Sequence, residues 1–426
     1  MSTPADRAAG PTPPPTILEI RVHGVSNTPP HAMLGLAADE VAGAASDGRG
    51  SFRVRRPDPL AQLAASPDVS PDDYRLPPPG VRREAYSWGA LARLSTVPFL
   101  ASASGLLAGL VRAFWVLIIP FGLVNAAYWA RRLDDGPPPD GRPGDDRAAS
   151  ATGADGTGSG LVRLFGWALT MLWTSTALTV TVGVVAARCY VRPPGLDAVY
   201  ACAALPTQMD ALARWSPGAR TAALAAVAVV VVLGLALVGL TGAVRFDRRV
   251  SASHGGALLA HRREAPPAPS WPYLTRTGVW SHAADGWAAW CYHLTSALGL
   301  VGLAVTVQRI TWGETDARVV VPSVAFGTLM ALTAARITTL RVEARTSRRW
   351  DRWGAAAALA LAAALLAVAL LDLRTSPAMA ERSEPWTLVV TSWSVPVLMG
   401  LLAVLVVGAL GLRTTAASAW PLLVVA

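Results

Sequence analysis

The chain has 426 residues, of which 52% are apolar and only 15% charged, with a mean hydropathy of +0.39. A soluble domain carries about a quarter charged residues, and here the charges lie almost entirely between long apolar runs, so an ordinary soluble globule is excluded. The formal charge of +9 comes wholly from arginine, since none of the 37 basic residues is lysine; beside apolar runs these arginines meet anionic lipid headgroups, and no basic stripe interleaved with exposed aromatics points to nucleic acid.

Residues 1–16 are Pro-rich and read as a disordered tail. Residues 17–93 read as a small α/β segment facing water. It opens with a strand, Ile17 to Val22, in which polar Glu19 and Arg21 alternate with apolar neighbours. His23-Gly24-Val25 and a turn over Asn27 to Pro30 follow. A helical run is expected over 31–45, where Met33, Leu34, Ala37, Ala38 and Val41 recur at helical spacing. Further strands are expected at 52–55 and 84–88. So short a segment cannot bury much core alone, which predicts that it forms one part of a larger domain.

From residue 94 the pattern changes. A spanning helix needs about 20 mostly apolar residues, and the sequence offers seven such stretches: 113–129, 161–187, 221–244, 287–307, 319–340, 354–373 and 386–412. Tryptophans cluster at their ends (Trp115, Trp129, Trp167, Trp287, Trp290, Trp312, Trp350, Trp353 and Trp386), as amphipathic indoles do at headgroup depth. The predicted fold class is therefore an all-α polytopic membrane protein of about seven transmembrane helices, multi-pass in a bacterial plasma membrane, with the lipid bilayer as its partner. Residues 94–130 form the first membrane segment and 131–160 a Gly/Pro/Asp-rich linker. Residues 161–412 form the helical membrane domain. Residues 413–426 begin a further apolar segment, so the chain reads as a piece of something longer.

The loops at 131–160, 245–286 and 341–353 hold fifteen arginines against seven at 187–219, 308–318 and 374–385. The positive-inside rule makes the first set cytoplasmic. With seven spans the N-terminus then lies outside, yet no signal peptide precedes it. A helical hairpin over 94–129, turning at Arg112, would give eight spans and a cytoplasmic N-terminus. Cys189 and Cys202 share one of the arginine-poor loops; unpaired thiols are the expectation, with one bridge as the alternative if that loop faces an oxidising compartment.

The strongest local signal is Ile20-Arg21-Val22-His23-Gly24-Val25, a strand ending in His-Gly. It resembles the part of α/β-hydrolases where a backbone N–H just past a strand faces a developing oxyanion. An ordinary strand-to-turn ending explains it equally well. Glu84-Ala85-Tyr86-Ser87-Trp88-Gly89 resembles the next strand of that fold. Together with Phe114 to Phe121 and the run His23 to Pro30, these segments resemble a group of uncharacterised actinobacterial-type integral membrane proteins. The resemblance covers about the first 130 residues. It implies a hydrolase-like fold interrupted by a membrane region, with its nucleophile after the spans, and an oxyanion-hole-like role for His23, Gly24 and Val25.

The chain departs from that pattern at the nucleophile, because no G-x-S-x-G occurs in it. Ser104, Ser159 and Ser394 lie near glycines or apolar runs without the strained strand-to-helix turn a catalytic serine needs. His31, His254, His261, His282 and His293 have no metal-ligand spacing and read as loop or interface histidines. The glycines 153, 156, 158 and 160 lack a preceding strand and a following lysine, so they read as linker. Ionisable groups inside spans would mark a transport path, and only Asn125, Arg336 and Asp372 come near that description. Gly105 and Gly109 suit close helix packing. No metal or cofactor is expected. The sequence thus favours a membrane protein with an incomplete hydrolase-like segment, inactive by itself; a non-enzymatic membrane scaffold is the alternative, and a transporter the third.

Overall fold

The computed structural model describes residues 17–23, 32, 41–43, 52–55, 81–87, 117, 119–124, 159–192, 198–260, 286–340, 345–380, 385–415 and 422–425. The chain divides into two compact units. One comprises Met1–Gly156, Thr241–His282 and Arg413–Ala426, and the other Thr157–Leu240 and Ala283–Leu412.

The described residues of the first unit include a five-stranded sheet. Its strands are β1 (Ile17–His23), β2 (Val41–Gly43), β3 (Phe52–Arg55), β4 (Val81–Ser87) and, from the far end of the chain, the last strand (Leu422–Val425). Their order is β2-β3-β4-β1 and then that last strand. β1 runs parallel to both of its neighbours, pairing Ile17–His23 with Val81–Ser87 on one side and Ile17–Ile20 with Leu422–Val425 on the other. β2 and β3 pair antiparallel, and so do β3 and β4. One expectation is corrected here. Val41–Gly43, inside the stretch expected to be helical, is strand β2. In the apolar tail Leu422–Val425 is a strand, whose β-branched and leucine side chains suit a ladder beside β1.

Six helices build the second unit: α1 (Ser159–Leu178), α2 (Pro217–Ala260, as far as Leu240), α3 (Gly286–Thr311), α4 (Ala317–Thr339), α5 (Arg345–Leu373) and α6 (Val389–Thr415, as far as Leu412). α1 continues as a π-helix over Thr179–Ala186. Between α1 and α2 lie two short antiparallel strands, β5 (Tyr190–Val191) and β6 (Tyr200–Ala201), and a 3₁₀ helix over Thr207–Arg214. The C-terminal strand of the sheet is therefore β7.

Among the described residues six helices are long and apolar enough to cross a membrane: Gly160–Ala186, Pro217–Leu240, Trp287–Thr311, Ala317–Thr339, Trp350–Leu373 and Val389–Gly408. At about 1.5 Å per residue even the shortest spans about 30 Å, the thickness of the hydrocarbon layer. The chain is a multi-pass membrane protein. Of the remaining stretch expected to span, residues 117 and 119–124 are helical; the rest of it, with the Gly105/Gly109 pair and the 131–158 linker, lies outside the described residues.

α3 is the innermost helix. Its span is 78% buried, whereas the other five are 22–39% buried. The hydrophobic core it belongs to also contains Met171 and Leu178 of α1, Leu224 and Ala228 of α2, Phe326 of α4, Leu366 of α5 and Leu402 of α6. Two glycines allow α4 to approach α3 closely. A Cβ on Gly302 would stand 2.3 Å from the ring of fully buried Phe326, and one on Gly299 would stand 2.9 Å from Met330. Close approach through small residues is how helices gain contact where lipid supplies no hydrophobic drive. The outer faces carry exposed Val321, Val324, Leu332, Val368, Val404 and Val407, a distribution stable only against hydrocarbon.

Candidate functional site

The sequence places its candidate site at the carboxyl end of β1. His23 is the last residue of that strand and pairs in register with Ser87, the last residue of β4. Gly24 and Val25 lie outside the described residues. β7 stands on the other side of β1 in parallel, its last residue, Val425, opposite Ile20. Three parallel strands thus present their carboxyl ends to the same edge. On β1, Glu19 and Arg21 share a face, as residues two apart do, and form an ion pair of 2.7 Å.

In the helical unit, polar chemistry concentrates at the end where α3 meets α4. Arg309 is nearly buried and pairs with both Glu314 and Asp372. Glu314 also accepts from Ser376 Oγ and, at 3.0 Å, from the Ala378 backbone N–H. Burial alone would raise the Glu314 pKa; the donors Ser376, Ala378 N–H and Arg309 outweigh it and hold the carboxyl below its ordinary range. Gln308 Oε1 accepts from the Val389 N–H at 2.9 Å. The Trp386 N–H donates to the Ala187 carbonyl at 3.1 Å, and the Trp386 ring packs edge-on against Trp312. Every element entering or leaving this end of α1, α3, α4, α5 and α6 is tied to another.

The connection from α1 to α2 closes the same end. β5 and β6 pair Tyr190 with Ala201, which brings the residues one step outward, Cys189 and Cys202, face to face with their Cα atoms 4.7 Å apart. They form a disulfide. The expectation of unpaired thiols is thereby corrected: the short antiparallel ladder sets the geometry a bridge needs. The Tyr190 hydroxyl donates to the Met209 carbonyl at 3.0 Å, and the Arg220 guanidinium stacks over the Tyr190 ring at 4.6 Å. Burial pushes the Tyr190 pKa up, against the nearby Arg220 charge and with that of Asp210. Gly218 fits because a Cβ there would meet the Leu373 carbonyl oxygen at 2.3 Å.

The opposite end is held differently. Arg163 of α1 reaches the Leu340 carbonyl, and Arg336 pairs with Asp351 at a half-exposed surface. Trp287 stacks on Trp290, whose Nε1 donates to the Ala236 carbonyl at 3.1 Å. Trp350 and Trp353 stand out from the surface, 81% and 74% exposed.

Between the ends, hydroxyls and one imidazole join helices. Thr170 Oγ1 lies 2.7 Å from His293 Nδ1, Trp167 Nε1 donates to Ser296 Oγ at 2.8 Å, Ser296 bonds Thr333 at 2.5 Å, and Ser175 bonds Ser394 at 2.9 Å. His293, expected in a loop or at an interface, is thus inside α3 and bonded across to α1. Thr174, Thr179, Thr306 and Ser323 return their hydroxyls to carbonyls one turn back, which satisfies them in a medium without water. The sequence reading missed His293 and Arg309 as intramembrane polar groups, although both fall within or one turn beyond spans it drew. Ser394, considered there as a nucleophile, only bonds Ser175. Among the described residues no group of three or more His, Cys, Asp or Glu could hold a metal, and none brings a nucleophile, base and orienting acid together. The polar clusters of the bundle therefore read as ties between helices.

No protein-family model, curated protein or solved structure matches this chain.

Proposed function

We propose that the chain is a membrane-anchored protein of the acyl-transfer hydrolase class, seated in a bacterial plasma membrane, with its water-facing sheet divided in sequence by the spans. The observation that carries this reading is the parallel pairing of β1 with both β4 and β7. After β1 the chain proceeds to β4 on one side, and the next parallel strand, β7, returns on the other. In open α/β sheets ligands bind outside the carboxyl ends at such a reversal of strand order.

His23 ends β1 at that reversal, and Gly24 and Val25 follow it in sequence. A backbone N–H just beyond β1 is suited to stabilise an oxyanion. The strand beside an oxyanion hole is the one that leads into a nucleophile elbow, and here that neighbour is β7. Because residues 1–426 contain no G-x-S-x-G, the attacking serine has to come from sequence continuing β7. His23 supports the hole and is not the general base.

The test is fluorophosphonate labelling of the natural gene product, translated from its start to its stop codon and held in detergent. The expected result is covalent labelling of one serine C-terminal to Val425, abolished by heat unfolding. Folded protein that takes up no probe removes the hydrolase reading and leaves the inert scaffold, which the internally satisfied hydrogen bonding of the bundle favours. A transporter has the weakest support, since the six spans carry no acidic group away from their ends.

A further inference from the structure

We infer that the first turns of α5 hold the headgroup of an anionic glycerophospholipid, one whose phosphate charge no ammonium offsets, at the rim of the bundle opposite the disulfide. The inference rests on the helical unit alone and does not depend on the hydrolase reading.

α5 begins before its span does. The helix runs Arg345–Leu373 and the apolar span Trp350–Leu373, so the positions from 345 to 349 carry the helix past the edge of the hydrocarbon. Between 345 and 353 stand four arginines, at 345, 348, 349 and 352, and one acid, Asp351. Asp351 pairs with Arg336 of α4. A cation from the next helix thus already matches that carboxylate, and the arginines of α5 are in excess. Basic clusters at a membrane surface attract anionic lipids.

The same turns carry Trp350 and Trp353, three residues apart on one face. They are the most exposed of the large apolar side chains among the described residues. Trp167 and Trp290 give their indole N–H groups to Ser296 and to the Ala236 carbonyl. Trp350 and Trp353 have no hydrogen-bond partner among the described residues. An indole N–H left unbonded in hydrocarbon is costly; at headgroup depth, phosphate and ester oxygens accept it. Gly354, one turn after Trp350, has open space where a Cβ would stand, so the backbone is bare beside both indoles.

Below the indoles the same face stays apolar and exposed at Leu361, Val368 and Leu371. From Trp350 to Leu361 the helix rises about 16 Å, half of the roughly 30 Å hydrocarbon layer and so the depth of one leaflet. A ligand that satisfies this surface has an anionic group for the arginines, acceptors for the indoles, and an apolar chain for the stripe beneath. A soluble phosphate or a nucleic acid would leave the stripe uncovered. A zwitterionic lipid would bring an ammonium among the arginines. The anionic phospholipid meets all three demands.

Native mass spectrometry of the full chain in detergent tests this, with phosphatidylglycerol or phosphatidylcholine added in increasing amounts. One phosphatidylglycerol should be retained more tightly than phosphatidylcholine. In the triple variant Arg345→Gln, Arg349→Gln, Arg352→Gln that preference should fall about fivefold for each arginine removed. Taking the same charge from the disulfide end, with Arg192→Gln, Arg214→Gln and Arg374→Gln, should leave it unchanged. Equal retention of the two lipids by the native protein would overturn the inference, as would an unchanged preference in the first variant or an equal loss in both. Displacement of the lipid by excess glycerol 3-phosphate would also overturn it, since the site would then read phosphate alone. A second measurement needs no arginine variant. Brominated phosphatidylglycerol should quench more tryptophan fluorescence than brominated phosphatidylcholine, and Trp350→Phe with Trp353→Phe should remove the difference. Equal quenching by the two lipids, or a difference that survives in that variant, counts against the site.

Discussion

The two ends of the helical bundle are stabilised by different means. At the disulfide end a nearly buried arginine is shared by two carboxylates, a glutamate collects three donors, and a covalent bridge closes the longest connection. At the arginine-rich end a half-exposed ion pair, one arginine-to-carbonyl bond and outward tryptophans suffice. An indole or guanidinium facing lipid headgroups finds its partners outside the protein. A guanidinium buried among helix ends must find them inside. The difference teaches that one end is fastened to itself and the other to the membrane.

Removing the centre of the internal fastening should have the largest effect. Arg309→Ala leaves Glu314 and Asp372 without their shared cation, and losing one partner of a buried pair costs about 3 kcal/mol; thermal unfolding in detergent, followed by tryptophan fluorescence, should show a clear drop in Tm. An unchanged Tm would mean that the contacts at this end do not bear on stability. Cys189→Ser together with Cys202→Ser reopens a loop of 13 residues' separation and should cost slightly less, about 3 kcal/mol at most for a loop of that length. The same loss should follow from adding reductant to the native protein.

Acid should act next, and on one end only. Glu314 has a lowered pKa in the fold, so its contribution is present above the ordinary glutamate value of 4.5 and is lost as the pH falls below that value through the folded one. Stability measured from pH 7 to pH 3 should therefore decline more steeply in the native protein than in Glu314→Gln. Parallel curves would show that protonation of this carboxyl is not felt. The smallest effect is expected at the opposite end: Arg336→Gln breaks a pair whose arginine is 52% exposed and should cost less than about 1 kcal/mol in detergent. A larger loss there would end the contrast between the two ends.

Much of the membrane architecture was legible because hydropathy is summed over some 20 residues, and a preference of that size survives errors at single positions. Trp287 and Leu373 bound spans in the sequence reading and in the structure alike. The ties between the spans were not legible. Arg309 and Asp372 stand 63 residues apart, and Glu314 and Ser376 stand 62 apart; no periodicity connects such pairs. The cysteine bridge depended on the register of Tyr190 against Ala201, which two isolated cysteines in a loop do not declare. At the candidate site, the strand ending in His23 could be read from alternation and a following glycine, but its neighbour could not: Leu422 lies some four hundred residues from Ile17, and a four-residue apolar run has no intrinsic partner.

The wide turns of Thr179–Ala186 have a consequence for how this protein tolerates changes in length. A π-helix accommodates an extra residue within a helix that otherwise keeps its pitch. Shortening most helices by one residue rotates everything beyond the cut by about 100°. Here the same cut would let the coil tighten to ordinary pitch, so that Ala187 would still face Trp386 and Cys189 its sulfur partner. The wide turns take up a change of one residue and leave the outer loop aimed at the rest of the bundle.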